Sequence, residues 1–406
     1  MALRLRRPRT IEEYTAVLGG IGHYFGGGYT VEGAEWFARV LPFERALGVF
    51  DGDTVVAGAG AFAFDLSIPG GALPCAGVTV VGVHPTHRRQ GILGRMMRAQ
   101  LADVRERGEP IAALWASEET IYGRFGYGLA AQDVMIRASR THAALHAGLP
   151  GRVGKTRLVS HDEALRIFPR IYDRVRRTTP GFLSRSKAWW EVRTLDDRPE
   201  RRRGSGEMNR VLLEIDDRPV GYATYRIKAE FDGAVNKGHV DVLEAIGDSP
   251  VAVRELWRYL LGIDWIDSVV CELLPADHPL FLLVQRPNRL DWKVFDGLWL
   301  RLVDLPAALS ARSVAGDGRV TFEVTADPLF PDNVGTWTVE AGVARRSSRR
   351  ADLRLDVQAL ACAYLGGFTF ADLARAGRVE EVARGGVARA DALYRVDARP
   401  WCPEIF

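Results

Sequence analysis

The chain reads as an α/β (α+β) protein in three parts. Two consecutive domains follow one plan, each a mixed, mostly antiparallel sheet flanked by helices, and a smaller α+β domain ends the chain. Three observations carry this reading. The order hairpin, strand, helix, strand occurs twice, over residues 46–116 and again over 210–274. In both copies the helix has apolar residues three and four apart and is stopped by a glycine, Gly108 or Gly262. At 406 residues the chain is also too long for one ordinary core. The expected domains are 1–145, 146–300 and 301–406.

In the first domain, Ile11 to Leu18 and Val31 to Val40 have the composition of short helices. Ala46 to Phe50 and Val55 to Phe64 are apolar runs around Asp51-Gly52-Asp53, which predicts a hairpin. Gly70-Gly71 turns the chain back into a strand from Ala76 to Val83. A helix from Gly91 to Arg107 follows. Its Ile92, Leu93, Met96, Met97, Leu101 and Val104 form one stripe toward the sheet. Ile111 to Ala116 is then a buried strand.

Residues 143–154, rich in glycine, alanine and proline, read as a linker. The second copy repeats the plan with strands at Arg210–Ile215, Val220–Ile227 and Gly238–Ala245, a helix ending at Leu261, and a strand from Ser268 to Leu274. After its central strand stands Ala245-Ile246-Gly247-Asp248-Ser249-Pro250, without arginine. An acidic residue there would repel a phosphate, so this copy is expected to be degenerate and to lack a cofactor loop. The run Arg198–Arg203 reads as a solvated loop. In the third region, Val320–Val324 and Thr336–Val339 are strand-like, Leu353–Leu365 reads as one helix, and a helical turn follows near Phe370–Ala374.

The bulk composition narrows the function classes. Hydrophobic residues make up 47% and charged residues 26%, as in a folded globular protein. The formal net charge is only +3, which gives no support to nucleic-acid binding. No apolar run is long enough to span a bilayer, and the basic N-terminus has no apolar segment behind it. Cys75, Cys271, Cys362 and Cys402 are widely separated, as expected for reduced thiols in the cytoplasm. His84 and His87 stand beside arginines in a turn, a poor setting for a metal, and no metal is expected.

One segment carries chemistry on its own. The β-branched run Val78-Thr79-Val80-Val81-Gly82-Val83 ends in a turn with Arg88, Arg89 and Gly91, and a helix starts at once. The first N–H groups of a helix are unpartnered and sit at the positive end of its dipole, which suits a pyrophosphate. Gly91 has no Cβ to keep phosphate oxygens away from the backbone.

Three segments together resemble the GCN5-related N-acetyltransferase (GNAT) superfamily, and within it the enhanced intracellular survival (Eis) type. The first is Val83-His84-Pro85-Thr86-His87-Arg88-Arg89-Gln90-Gly91-Ile92-Leu93. The second is Ala116-Ser117-Glu118-Glu119-Thr120-Ile121-Tyr122-Gly123-Arg124-Phe125-Gly126-Tyr127-Gly128. The third is the tail Glu404-Ile405-Phe406. The likeness covers the three-part layout, which becomes two tandem GNAT-like domains and a C-terminal domain similar to sterol carrier proteins. It implies an N-acetyltransferase that uses acetyl-CoA as donor and acts on a small-molecule amine, an aminoglycoside, polyamine or lysine. It also implies a homohexamer.

By the resemblance, Arg88, Arg89, Gln90, Gly91, Ile92, Leu93 and Gly94 hold the pyrophosphate of coenzyme A. Val81, Gly82 and Val83 pair with the pantetheine arm as another strand would. Ser117 and Glu118 line the sulfur region or cap the next helix. Tyr122 is the general acid that protonates the departing thiolate, whereas Tyr127 packs. The α-carboxylate of Phe406 is the general base for the attacking amine. Tyr24, Phe25, Trp36 and Glu404 are candidates for the acceptor pocket. The competing reading is a lipid- or acyl-ligand-binding protein working through the sterol-carrier-like domain.

Overall fold

The computed structural model describes residues 3–406. The chain forms two compact units. One comprises residues through Ala131, Gly297–Asp397 and Ile405–Phe406; the other comprises Gln132–Asp296 and Ala398–Glu404.

The first unit opens with β1 (Arg4–Arg6), α1 (Ile11–Gly22) and α2 (Val31–Ala38), followed by β2 (Ala46–Asp51), β3 (Thr54–Ile68) and β4 (Gly71–Val83). Then come α3 (Ile92–Glu106), β5 (Ile111–Trp115), α4 (Glu119–Tyr122) and β6 (Gly128–Leu129). The second unit contains β7 (Gln132–Ser139), β8 (Lys155–Leu158), α5 (His161–Arg176), α6 (Lys187–Trp189), β9 (Asn209–Ile215) and β10 (Arg218–Lys228). A small hairpin, β11 (Phe231–Asp232) with β12 (Val235–Asn236), precedes β13 (His239–Gly247), α7 (Pro250–Leu261), β14 (Ser268–Pro275), α8 (Leu280–Leu283) and β15 (Lys293–Asp296). The chain then supplies the first unit with β16 (Leu298–Leu302), α9 (Leu305–Ala311), β17 (Arg319–Val324), β18 (Gly335–Glu340), β19 (Val343–Arg346) and β20 (Leu353–Leu355). Last come α10 (Val357–Tyr364), α11 (Phe370–Arg375), β21 (Glu380–Glu381) and α12 (Gly386–Tyr394).

The first unit holds a seven-stranded sheet in the order β1-β2-β3-β4-β5-β16-β6 and a five-stranded sheet β19-β18-β17-β20-β21. The second unit holds a seven-stranded sheet β15-β7-β14-β13-β10-β9-β8. These limits differ from boundaries at 145 and 300: β7 belongs to the second unit's sheet and β16 to the first's. The reason is an edge. Ile111, Ala112, Ala113 and Leu114 of β5 are buried, and a buried strand edge needs a partner. The alternating Leu298, Leu300 and Leu302 of β16 supply one, antiparallel to β5.

Both large sheets open in the same way. In the first, β4 and β5 are parallel neighbours only over Cys75–Gly77 and Ile111–Ala113, yet β4 continues to Val83 and β5 to Trp115. In the second, β13 and β14 pair only as far as Val242 and Cys271, yet run on to Gly247 and Pro275. A bulge accompanies each opening. On β4, Val80 and Val81 stand against the single residue Ala59 of β3, and Val80 has φ +49, a left-handed value that a β-branched residue seldom adopts. The second copy shifts register between Thr224 and Tyr225.

One expectation is corrected and one helix is added. The segment expected as a single helix from Leu353 to Leu365 is the strand β20 followed by α10, because Asp356 caps the helix by accepting a hydrogen bond from Ala359 N. Residues 161–176, not assigned from the sequence, form α5. Its signal is Ser160 three residues before Glu163, and the Ser160 side chain accepts from Glu163 N. The basic run Arg198–Arg203 is a loop tied internally. Arg198 Nη2 lies 2.8 Å from the buried Asp196, and Arg202 Nε lies 3.3 Å from Asp197.

Candidate active site

The helix entry after β4 is shaped for an anion. Arg89 and Gly91 both have positive φ, +61 and +76, on either side of Gln90. Gly91 is the N-cap of α3, and no side chain caps the first turn. The amides of Ile92, Leu93 and Gly94 at the start of this fifteen-residue helix are therefore left for a ligand. Arg88, Arg89, Gln90 and Gly91 are exposed, and a Cβ at Gly91 would meet nothing within 4 Å. Open space above uncapped amides fits a pyrophosphate. His84 Nδ1 and His87 Nδ1 each lie 2.8 Å from Thr86 Oγ1, so they brace the turn. No group of three or more His, Cys, Asp or Glu side chains among the described residues is arranged to hold a metal ion.

The bulged end of β4 and the phenol expected as proton donor share one cluster. Tyr122 belongs to a buried cluster that includes Ala61, Ala76, Val78, Ala112, Leu114 and, from α3, Met97 and Leu101, with the partly buried Val81 and Leu93 packed against it. Burial pushes its phenol up to about 12, and the nearby Glu118 adds to the rise. Ser117 and Glu118 are exposed at the end of β5, and Glu118 makes no side-chain cap to α4. Tyr127 is fully enclosed, its ring 5.9 Å from that of Tyr122.

The glycines of the Tyr122–Gly128 string have individual reasons. Gly126 has φ +83, and a Cβ there would lie 2.8 Å from the guanidinium of Arg301. Arg301 is wholly buried, paired with Asp327 at 2.5 Å. A Cβ at Gly123 would meet the side chain of Gln358, and one at Gly128 would meet the Gln358 carbonyl at 2.3 Å and Cys362 Sγ at 2.9 Å. Helix α10 and the Arg301–Asp327 pair thus hold the loop that carries Tyr122.

The terminal residue lies on the other face of the same sheet. The Phe406 ring is 5.4 Å from Phe64 and 6.4 Å from Phe62. It also covers Gly77, where a Cβ would stand 3.2 Å from the Phe406 ring. Gly77 is the last residue of β4 paired with β5. Side chains alternate along a strand, so Phe62, Phe64 and Gly77 face away from Ala61, Ala76 and Val78. The Phe406 ring therefore lies on the sheet face opposite the cluster that contains Tyr122, beside the last residue of β4 paired with β5. Further aromatic rings extend the Phe406 side: Phe37 lies 5.7 Å from Phe62, and Tyr29 lies 5.6 Å from Phe37.

The remaining expected pocket residues take separate places. Tyr24 is 44% exposed and donates a hydrogen bond to the Val83 carbonyl, with the Arg88 guanidinium 6.0 Å from its ring. It stands at the anion turn. Phe25 is 68% exposed. Trp36 carries Arg39 over its ring at 4.5 Å. Glu404 is paired with Arg185 in the second unit. Sequence reasoning missed Tyr29, Phe37, Phe62, Phe64 and Gly77. The Phe62-Ala63-Phe64 alternation was the available signal, but nothing in it names the terminal phenylalanine as its partner.

The chain matches family models in three places. Residues 6–130 and 181–302 each match an acetyltransferase (GNAT) domain, and residues 305–403 match a sterol carrier protein domain. The fold is that of a GNAT N-acetyltransferase. An uncharacterized N-acetyltransferase of Streptomyces avermitilis is 36% identical over 383 residues, 92% of either chain. The N-acetyltransferase Eis of Mycobacterium tuberculosis is 33% identical over 381 residues, 90% of either chain. The crystal structure of Eis1 from Mycobacterium abscessus superposes with a TM-score of 0.86 at 32% identity, covering 99% of this chain and 100% of that one. The chain belongs to the Eis-type N-acetyltransferases of the GNAT superfamily.

Proposed function

We propose that the protein transfers the acetyl group of acetyl-CoA directly to a primary amine, with Tyr122 as general acid and the Phe406 α-carboxylate as general base. The observation that carries this reading is that the Phe406 ring and the cluster containing Tyr122 lie on opposite faces of one sheet, where β4 and β5 part. A donor lying along Val81, Gly82 and Val83, with its pyrophosphate on residues 88–94, brings its thioester to that opening from the α3 face. An amine then approaches from the aromatic face. The amine nitrogen forms the new C–N bond, the C–S bond breaks, and Tyr122 gives its proton to the leaving sulfur. The amine's own proton passes to the terminal carboxylate. A phenol raised to about 12 stays protonated at neutral pH, as a donor must.

The acceptor side combines one carboxylate with the rings of Phe62 and Phe64 and, beyond them, Phe37 and Tyr29. Aromatic faces attract ammonium groups, so this lining suits a small cationic amine. Aminoglycosides, polyamines and lysine side chains all offer one. The four buried free cysteines support a reducing, cytoplasmic setting; a hexameric assembly rests on the family resemblance alone.

The test is acetyl-CoA consumption across a panel of aminoglycosides, polyamines and lysine peptides, run beside thermal shifts with acetyl-CoA and with fatty acyl ligands. Turnover with at least one amine and stabilisation by acetyl-CoA are expected. Stabilisation by fatty acyl ligands alone, without turnover, would overturn the proposal.

A further inference from the structure

The second large sheet repeats the opening but not the anion turn, and its opening is not left bare. Beyond the last paired residues, Val242 and Cys271, both strands engage the chain's own C-terminal segment. On the β14 side, Trp401 Nε1 donates to the Leu273 carbonyl at 3.2 Å, and Arg399 N donates to Asp277 Oδ2 at 3.1 Å. On the β13 side, Glu244 is bound by Arg185, whose Nη2 lies 2.7 Å from Glu244 Oε1 and 2.7 Å from Glu404 Oε2. Tyr222 Oη donates to Glu244 Oε2 at 2.6 Å. The Arg185 guanidinium also lies 4.0 Å from the centre of the Tyr172 ring and 5.0 Å from that of Trp190. Trp401 is sealed by Phe182, 5.1 Å between rings, and its backbone N–H donates to the Pro180 carbonyl at 2.9 Å. Gly181, with φ +97, leaves room that a Cβ would take from the Trp401 backbone.

We propose that the parted strands β13 and β14 of the second acetyltransferase-like domain, where a functional copy would take its donor, serve as the seat of the C-terminal tail, and that Arg185 is the positioning residue of that seat. The reading rests on the role given above to the Phe406 carboxylate. Glu404 is two residues from that carboxylate, so little chain freedom remains once Glu404 is fixed. Burial works against the charge of Arg185, and Glu244 and Glu404 outweigh it. A buried arginine held between two carboxylates is strongly discriminating: it accepts an acidic residue and rejects a basic one. This explains why a domain without a cofactor turn keeps the strand opening of one that has it.

The test uses the full chain with Glu404→Lys and Glu404→Gln. Cys402 is a built-in probe, since it is fully buried beside the seat; Cys75 and Cys362 are buried in the first unit and serve as controls, whereas Cys271 is the last residue of β14 paired with β13, at the mouth of the seat. Thiol labelling is read at each cysteine by peptide mass spectrometry, together with kcat and the KM for acetyl-CoA. In Glu404→Lys, Cys402 labels faster by about tenfold or more, because a cation faces Arg185, and the control thiols Cys75 and Cys362 keep their rates. The value of kcat falls by about tenfold or more with KM for acetyl-CoA unchanged. Glu404→Gln, which keeps a polar contact, stays nearer the parent in both readouts. Unchanged Cys402 labelling, or equal acceleration of all four thiols in both variants, overturns the seat. Faster Cys402 labelling with kcat intact upholds the seat and removes the carboxylate from the chemistry, so the two readings fail separately.

Discussion

Replacing Gly77 with alanine tests whether the terminal residue acts through its position. The added methyl group would stand 2.4 Å and 2.6 Å from two carbons of the Phe64 ring and 3.2 Å from the Phe406 ring. Ordinary carbon contacts begin near 3.4 Å, so the edge of Phe64 must retreat by about 1 Å and Phe406 by a few tenths. Phe64 itself touches Phe406 at 5.4 Å between rings, so the displacement passes on to the terminal residue. Overpacking of this size costs about 1–3 kcal/mol of stability, and a misplacement near 1 Å at a reacting group costs about 10²-fold in rate. The assay is steady-state kinetics with the best acceptor amine, paired with calorimetric binding of acetyl-CoA. The expected result is a kcat lower by about 10- to 100-fold with donor affinity retained. Gly77→Ala combined with Phe64→Leu frees the space and recovers part of the rate, a coupling that independent sites would not show. A Gly77→Ala enzyme with full kcat and the expected loss of stability would refute the idea that Phe406 must sit where it does.

Other consequences are measurable with single variants. Tyr122→Phe removes a hydroxyl without reshaping the cluster; kcat should fall by about 10²-fold or more, with stability within about 0.5 kcal/mol and acetyl-CoA affinity unchanged. The Tyr122 phenol is pushed up to about 12, so no alkaline loss of rate below pH 10 should trace to it, as a comparison of the two pH profiles will show. Gly91→Val places a β-branched residue at φ +76, which should raise the Kd for acetyl-CoA by about tenfold or more in calorimetry while leaving kcat at saturation nearly unchanged. Asp133 is fully buried, and burial pushes its carboxyl up to about 8. The unfolded chain ionises this group near pH 4, so its contribution to stability is full below that pH and is lost as pH rises toward 8. Asp133→Asn should therefore gain stability relative to the parent by about 1 kcal/mol or more on going from pH 5 to pH 8 in urea titrations.

The repeated plan was legible because it rests on local signals. The Asp51-Gly52 turn, the apolar stripe of α3 and the glycine after it lie within a few residues of what they specify. The anion turn was legible for the same reason: Arg89 and Gly91 take the left-handed backbone within the turn itself. Pairings between distant segments were not. β16 lies nearly two hundred residues from β5, and its alternating leucines suit any buried sheet. The Leu353–Leu365 stripe has helical spacing that two turns of α10 and the short strand β20 satisfy equally, and only the capping role of Asp356 separates them. In the sequence, Tyr24, Phe25 and Trp36 point to an acceptor pocket because they precede the strands expected to carry the chemistry. The rings beside Phe406 come from alternate positions on β3, Phe62 and Phe64, and continue to Phe37 of α2 and to Tyr29, which precedes that helix. Arg185 carried no signal at all: an isolated arginine reads as surface until the folded chain sets Glu244 and Glu404 beside it.

Converting the final carboxylate to a carboxamide by semisynthesis changes one group and no contact of the Phe406 ring. The account predicts kcat reduced by about 10²-fold or more, with acetyl-CoA affinity and thermal stability unchanged. A carboxamide enzyme that turns over its amine as fast as the parent would contradict it.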